Sequence, residues 1–314
     1  MDFEKDIKDL ELKIEELKKF SEEKGIDLKE QIDKLEELKA DKMKSLYEEI
    51  TPWQKTQIAR HQNRPYTLDY IDLIIEDFVE LHGDRLFKDD KSIIGGLGKI
   101  GNEKVVIIGH EKGRTLDDKI FRNFGSPNPE GYRKALRLMK LAERFNLPVI
   151  SFIDTAGAYP GLEAEERGQG EAIARNLMEM AGLSIPTISI VIGEGGSGGA
   201  LGIGVTDKIF MLENSYYSVI SPEGCASILF RDASKACDAA EYLKLDAKHL
   251  LEFGIIDDII SEPLGGAHRN PEYTANNIKE KILSTLEELK SFEISLLKEI
   301  RYKKLKNIGK YNLI

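Results

Sequence analysis

The chain has 314 residues, enough for one large domain or two small ones with a sizeable core. Hydrophobic residues make up 41%; no apolar run approaches a membrane span, and charges from Asp2 onward leave no visible secretory signal. A formal net charge of −10 argues against nucleic-acid binding, and the spacing of Cys225 and Cys237 suits neither a zinc ribbon nor a disulfide framework, so a soluble cytoplasmic protein is expected.

Residues 2–50 are charged and helix-favouring. Ile7, Leu10, Ile14 and Leu17 fall three and four apart, as do Leu28, Ile32, Leu35 and Leu38 after a break at Gly25. Two amphipathic helices folded as a hairpin arm are expected, each with one narrow apolar stripe to cover. Next, Leu73, Ile74, Phe78 and Leu81 predict a helix capped by Thr67 and stopped at Gly83. His61 and His82 lack metal-type spacing and read as structural. Ile93–Ile100 and Lys104–His110 predict a β-hairpin around Gly101-Asn102. Beyond it, Lys112, Arg114 and Arg122 lie in a loop, where they face either an anionic substrate or solvent.

A helix is expected from Pro129 to Phe145, a buried strand from Val149 to Ile153, and a helix spanning Glu163 to Met180. The β-branched run Thr187–Ile192 predicts a strand buried on both faces. Lys208–Leu212, Tyr216–Ile220 and Ile255–Ile260 read as further strands, with a helix capped by Ser221 after the second. The end, from Ala275 to about Leu305, reads as charged helix. Strands alternating with helices give an α/β core with helical arms at both ends.

The chemistry centres on Gly193-Glu-Gly-Gly-Ser-Gly-Gly199, which follows the buried strand. Three readings are open. Gly193, Gly195 and Gly198 fit a dinucleotide fingerprint, with Glu213 where a ribose-binding acid would stand. Gly195, Ser197 and Gly199 fit a nucleophile elbow, with Asp257 and His268 following in triad order. Alternatively the loop is an oxyanion hole, in which the N–H groups of Gly198 and Gly199 meet a developing negative oxygen. The turn Thr155–Gly161, including Gly157 and Ala158, supplies a second loop to close such a site; Gly195 and Gly196 are further pocket candidates.

Several ordered stretches carry a resemblance. They are Arg64-Pro-Tyr-Thr-Leu-Asp-Tyr70, Arg122-Asn-Phe-Gly125, Pro129-Glu-Gly-Tyr-Arg-Lys-Ala-Leu-Arg-Leu138 and Phe152-Ile-Asp-Thr-Ala-Gly-Ala-Tyr-Pro-Gly161. Further on come Ala164-Glu-Glu-Arg-Gly-Gln169, Gly193–Leu201, Tyr217–Ser227 and Glu262–Pro271. With these the chain resembles the carboxyltransferase alpha subunits of bacterial acetyl-coenzyme A carboxylase. One departure is Ala156, where the family pattern usually has proline.

The resemblance implies a crotonase-like fold, a spiral of ββα units, over residues 51–272, with a helical arm at 1–50 and a helical extension at 273–314. It implies carboxyl transfer from carboxybiotin, on a biotin carboxyl carrier protein, to acetyl-CoA, giving malonyl-CoA. Biotin carboxylase and a carboxyltransferase beta subunit are the implied partners, in an alpha2-beta2 assembly, with zinc in the beta subunit and no metal here. The glycine pair maps onto Gly198 and Gly199, whose amides would hold the ureido oxygen of biotin. Glu194 is expected to anchor the loop, since a carboxylate pointing into an oxyanion hole would oppose catalysis. A scaffold subunit without chemistry of its own, or a serine hydrolase using Ser197, are the alternatives.

Overall fold

The computed structural model describes residues 1–309, so residues 310–314 of the expected C-terminal extension lie outside the described residues. Helices α1 (Lys5–Lys24) and α2 (Lys29–Glu48) form the expected hairpin, turning at left-handed Gly25. Ion pairs Lys18–Glu36 and Lys42–Asp6 hold them antiparallel. The open end is moored to the body: Arg269 donates to Glu11 at 2.7 Å, and the Tyr47 hydroxyl donates to buried Glu4.

Helix α3 (Pro52–Ala59) starts with a capping box between Thr51 and Gln54. Helix α4 (Thr67–Ile74) is shorter than its spacing predicts and gives way to strand β1 (Glu76–Glu80). Phe78 and Leu81 fit a helical period, but β1 pairs antiparallel with β2 (Ile93–Ile100), and that ladder overrides local preference. Thr67 is the first helical residue and not the cap; its hydroxyl donates to the His110 carbonyl. Gly83 stops no helix and lies in a loop at φ +80°.

Strand β3 (Glu103–His110) completes the predicted hairpin, with Ile100 facing Glu103 across Gly101-Asn102. Then come α5 (Leu116–Phe121), α6 (Pro129–Arg144), β4 (Val149–Thr155), α7 (Leu162–Glu166) and α8 (Gln169–Gly182). The single helix expected from Glu163 to Met180 is broken at Gly168, which sits at φ +82°. Strand β5 (Thr187–Gly196), α9 (Ser197–Leu201), β6 (Lys208–Leu212) and β7 (Tyr216–Ser218) follow. The rest is α10 (Pro222–Leu229), α11 (Ala236–Leu243), α12 (Ala247–Glu252), β8 (Asp258–Ile260), α13 (Pro271–Lys290) and α14 (Ile294–Lys306).

The sheet order is β1-β2-β3-β4-β5-β6-β8, antiparallel at the first two junctions and parallel thereafter. Strand β5 is buried along its whole length. Ile188, Ile190 and Ile192 point to one face, packing in the same cluster as Ile71 and Ile74 of α4 and Ile278, Ile282 and Leu286 of α13. Val191 points to the other, with Leu138 and Met139 of α6 and Met180 of α8. Each fully buried aliphatic side chain contributes about 1.5–3 kcal/mol, so these two layers account for much of the stability. The inner face of α13 belongs to this core. Arg301 of α14 is also wholly buried, donating to Asp207 at 2.7 and 2.8 Å and to the Met180, Leu183 and Ile185 carbonyls.

Candidate active site

Strands β4 and β5 are parallel, so both release the chain at the same end of the sheet. The glycine stretch does not turn where its composition suggests. Gly193–Gly196 continue β5, because Thr155 pairs with Gly195 on one side and Tyr216–Ser218 pair with Glu194–Gly196 on the other. The reversal falls on Ser197, which takes φ +49°. A left-handed serine costs about 1–3 kcal/mol, a strain that the flanking ladder and helix must hold.

Helix α9 has only five residues. The first N–H groups of a helix lack intrahelical acceptors. No side chain caps α9, and among the described residues none accepts a hydrogen bond from the N–H of Gly198 or Gly199. The two glycines differ sterically. A Cβ on Gly199 would lie 2.6 Å from the Ala158 nitrogen and 2.7 Å from the Gly157 carbonyl carbon, so α9 and the second loop touch backbone to backbone. A Cβ on Gly198 would meet only Ile173, at 3.7 Å.

The Gly157–Ala158 loop is set by Thr155. Its Oγ1 accepts from the Gly157 N–H at 3.0 Å and donates to the Gly157 carbonyl at 2.9 Å. Neither bond involves residue 156, so the turn holds with alanine there. Gly195 and Gly196 sit inside the ladder. The Tyr217 ring fills the space beside Gly195, and the Ala156 backbone fills that beside Gly196.

An apolar groove of about 310 Å³ runs beside α9, lined by Ser197, Gly198, Leu201, Val205, Tyr217 and Val219, with Leu305 and Ile308 of the C-terminal segment closing one end. Among the described residues no charged side chain lines it.

All nearby charge is gathered one step earlier, around Glu194. Its carboxylate accepts from Arg60 Nε at 2.7 Å, the Tyr216 hydroxyl at 2.6 Å and Lys112 Nζ at 2.6 Å. Lys112 also pairs with Asp154 at 2.6 Å, and Arg60 with Glu223 at 2.6 Å. The Asp154 carboxylate in turn accepts the Glu194 N–H at 2.8 Å. Burial opposes ionisation of Glu194, but Lys112 and Arg60 outweigh it and hold the carboxyl down at about 2. Burial raises Asp154 instead, and the nearby Glu194 charge adds to that rise. Glu194 therefore anchors the end of β5 that leads into α9, where a loop anchor was expected.

The loop cations expected to meet a substrate or solvent are engaged within the protein. Lys112 is held as above; Arg114 stacks on Tyr66 and donates to Asp69 and to the Gln62 and Arg64 carbonyls; Arg122 pairs with Asp118 at 2.8 Å. Arg64, fully buried, grips Glu262 and donates to the Ile192 carbonyl at 2.7 Å, joining two sequence motifs and the central strand. Arg60, Tyr216 and Glu223 carried no sequence signal of this kind; their partners lie 22 to 163 residues away.

The two competing readings of the glycines fail on this geometry. Ser197 is exposed, while Asp257 is occupied by Lys304 and the Ile209 N–H and His268 stacks on His61 at 3.8 Å, so no triad forms. The dinucleotide fingerprint needs a loop at Gly193 and Gly195; both are strand residues, and Glu213 accepts the Glu262 N–H. Among the described residues no group of three or more His, Cys, Asp or Glu is arranged to hold a metal, and no helix is long and apolar enough to cross a membrane.

Solved structures share the fold. The chain is similar to transcarboxylase 12S, with TM-score 0.58 and 17% identity over 74% of this chain and 44% of that one. The beta subunit of Pseudomonas aeruginosa geranyl-CoA carboxylase gives TM-score 0.52 and 18% identity over 69% and 42%. The chain thus spans less than half the length of either and shares with them the crotonase-like fold of carboxyltransferases.

The model of the acetyl co-enzyme A carboxylase carboxyltransferase-like family matches residues 1–309, and the chain belongs to that family. It is 60% identical over 312 residues to the acetyl-coenzyme A carboxylase carboxyl transferase subunit alpha of Fusobacterium nucleatum, covering 99% of this chain and 100% of that protein. It is 56% identical to the subunits of the same description from Xanthomonas axonopodis pv. citri (99% and 98% covered) and Halalkalibacterium halodurans (99% and 96% covered).

Proposed function

We propose that this chain is the alpha half of a carboxyltransferase that moves a carboxyl group from carboxybiotin to acetyl-CoA, forming malonyl-CoA. The observation that carries the chemistry is the pair of unpartnered N–H groups on Gly198 and Gly199, beside an uncharged groove. Membership of the family, with relatives of the same length described as alpha subunits, carries the choice of reaction.

The donor group fits what is present. A biotin ring is an apolar body with one polar ureido edge; the groove is apolar, Gly198 lines it, and Gly199 lies buried directly behind. Carboxybiotin, on a carrier protein charged by a biotin carboxylase, supplies the transferable carboxyl. Gly198 and Gly199 donate to the ureido oxygen and are aimed before the reaction begins, so negative charge gathering there meets fixed dipoles. One preorganised donor of this kind is worth about 3–4 kcal/mol. Gly157 and Ala158 brace Gly199 from the other side. Leu201, Val205 and Val219 keep the surroundings poor in water, where such dipoles act more strongly. The methyl proton of acetyl-CoA passes to the biotin nitrogen that gives up the carboxyl group, so no side chain of this chain needs to titrate. A beta subunit, with its own zinc ribbon, takes the thioester, and the two chains pair as alpha2-beta2.

The deciding experiment mixes the chain with a beta subunit, carboxylated carrier and acetyl-CoA, and follows malonyl-CoA. Turnover is expected only with both subunits, and Gly199→Val is expected to remove it while the subunits still copurify. Full turnover by the Gly199→Val complex, or by the beta subunit alone, contradicts the reading; the second result would leave this chain a scaffold.

A further inference from the structure

Helix α9 is too short to hold itself. A helix of five residues closes few internal hydrogen bonds, far fewer than an isolated helix needs. It is also glycine-rich, and it follows a strained serine. Something outside it must fix the direction of its amides.

Two polar side chains do so from behind, and both are wholly buried: Tyr132 of α6 and Asn176 of α8. Asn176 Nδ2 donates to the Gly202 carbonyl at 2.8 Å, just past the end of α9, and to the Tyr132 carbonyl at 3.0 Å. The Tyr132 hydroxyl donates to the Gly199 carbonyl at 3.4 Å. The Tyr132 ring fills the place of a Cβ on Gly202, 2.5 Å from that position, so ring and helix are in direct contact.

The Asn176 bonds come at a cost. With both acceptors being carbonyls, the amide group must face them, and Asn176 Oδ1 is left buried with no partner. An unsatisfied buried acceptor is destabilising. An apolar residue would avoid that cost and still fill the space. What it would lose is the tie between α6, α8 and the rear of α9.

We infer that Asn176 and Tyr132 are positioning residues for carboxyl transfer: they fix α9 so that the Gly198 and Gly199 N–H groups point at the reacting oxygen. This rests on the amide role proposed above. Neither side chain lines the groove, so neither is expected to touch substrate. Their effect is on the alignment of donors that matter most when charge has developed. It should appear in kcat and leave the KM of the thioester, which the partner subunit takes, unchanged.

The test uses the reconstituted alpha–beta complex run in reverse, with malonyl-CoA and biotinyl-lysine as acceptor. Tyr132→Phe keeps the ring and removes only the hydroxyl; it is expected to lower kcat roughly 3- to 10-fold. Asn176→Leu removes both bonds and is expected to lower kcat roughly 10- to 100-fold, as misplacement of a donor does. In both, the KM for malonyl-CoA stays within about twofold of the parent. A merely structural role predicts a lower melting temperature with kcat per folded complex unchanged, and that result overturns the inference. If Asn176→Leu does not assemble, Tyr132→Phe decides alone, and an unchanged kcat there overturns it. Gly199→Val separates the two levels: inactive Gly199→Val with fully active Tyr132→Phe and Asn176→Leu refutes positioning but spares the amide role, whereas active Gly199→Val removes both.

Discussion

The two ends of one glycine stretch behave in opposite ways. At Glu194 the side chain and the N–H are both engaged: the carboxylate takes three donors and the N–H is held by Asp154. Three residues later, charge is absent and two N–H groups have no acceptor among the described residues. The first end resembles a protein interior, in which buried charges are paired. The second resembles a site held open for an oxygen from outside. Charge fixes the strand end that leads into α9.

Breaking the charged end should cost stability, and breaking the bare end should cost turnover. The largest effect is expected from Arg64→Met, which leaves the Glu262 carboxylate buried with only Asn214 as a hydrogen-bond donor among the described residues. Removing one partner of a buried pair costs about 3–5 kcal/mol, read as a shifted denaturant midpoint of the isolated chain. Gly199→Val should lower kcat by about 100-fold or more in the assembled complex, close to the loss of one oxyanion donor. Gly198→Ala, whose Cβ has room beside Ile173, should keep kcat within about tenfold, with the N–H retained.

Titration gives a finer separation. Burial holds His110 neutral, down to about 3, against an ordinary value of 6.5. The unfolded chain therefore takes up a proton below pH 6.5 that the folded chain refuses. Stability from this group is complete above 6.5 and is lost as pH falls toward 3, at up to roughly 1.4 kcal/mol per unit. His268 acts in the same sense; burial and the adjacent His61 push it to about 3. Glu194 contributes only lower down, losing its share as pH falls from 4.5 toward 2. Asp154 and Glu111, raised by burial, work with the opposite sign. Melting curves of parent and His110→Asn between pH 7 and 5 should therefore diverge in slope, the variant being flatter; parallel slopes contradict the assignment. The smallest effect is expected for Ser197→Ala, with kcat within about threefold, since the exposed hydroxyl has no base beside it. A near-total loss would revive a nucleophilic serine.

Much of this was legible in the sequence where local rules apply. The arm at 1–50, the hairpin at Gly101-Asn102 and the cap at Ser221, which accepts the Gly224 N–H at 3.1 Å, follow from spacing and turn chemistry. Beside the Thr67 cap, the Gly83 stop and the helix broken at Gly168, two places differ from expectation for one reason. Gly193–Gly196 look like a loop and Phe78 fits a helix, yet both are strand, because pairing with distant segments decides strands. The charge network was hidden likewise: Arg60 meets Glu194 across 134 residues. Lys112, Arg114 and Arg122 carry charge on a loop, and nothing in the sequence distinguishes charge held for structure from charge offered to a ligand. The helix start at Gly198 and Gly199 was readable from a glycine pair that follows a buried β-branched run; the role proposed for their amides rests on the test below.

One measurement isolates the central claim. Replacing the amide at residue 199 by an ester, by incorporating glycolate in place of glycine, removes a single N–H and adds no side chain. The assembled complex should melt close to the parent and lose roughly 100-fold in kcat for malonyl-CoA formation. An ester complex that turns over within about threefold of the parent would mean that this hydrogen faces no reacting oxygen, and the account would be wrong.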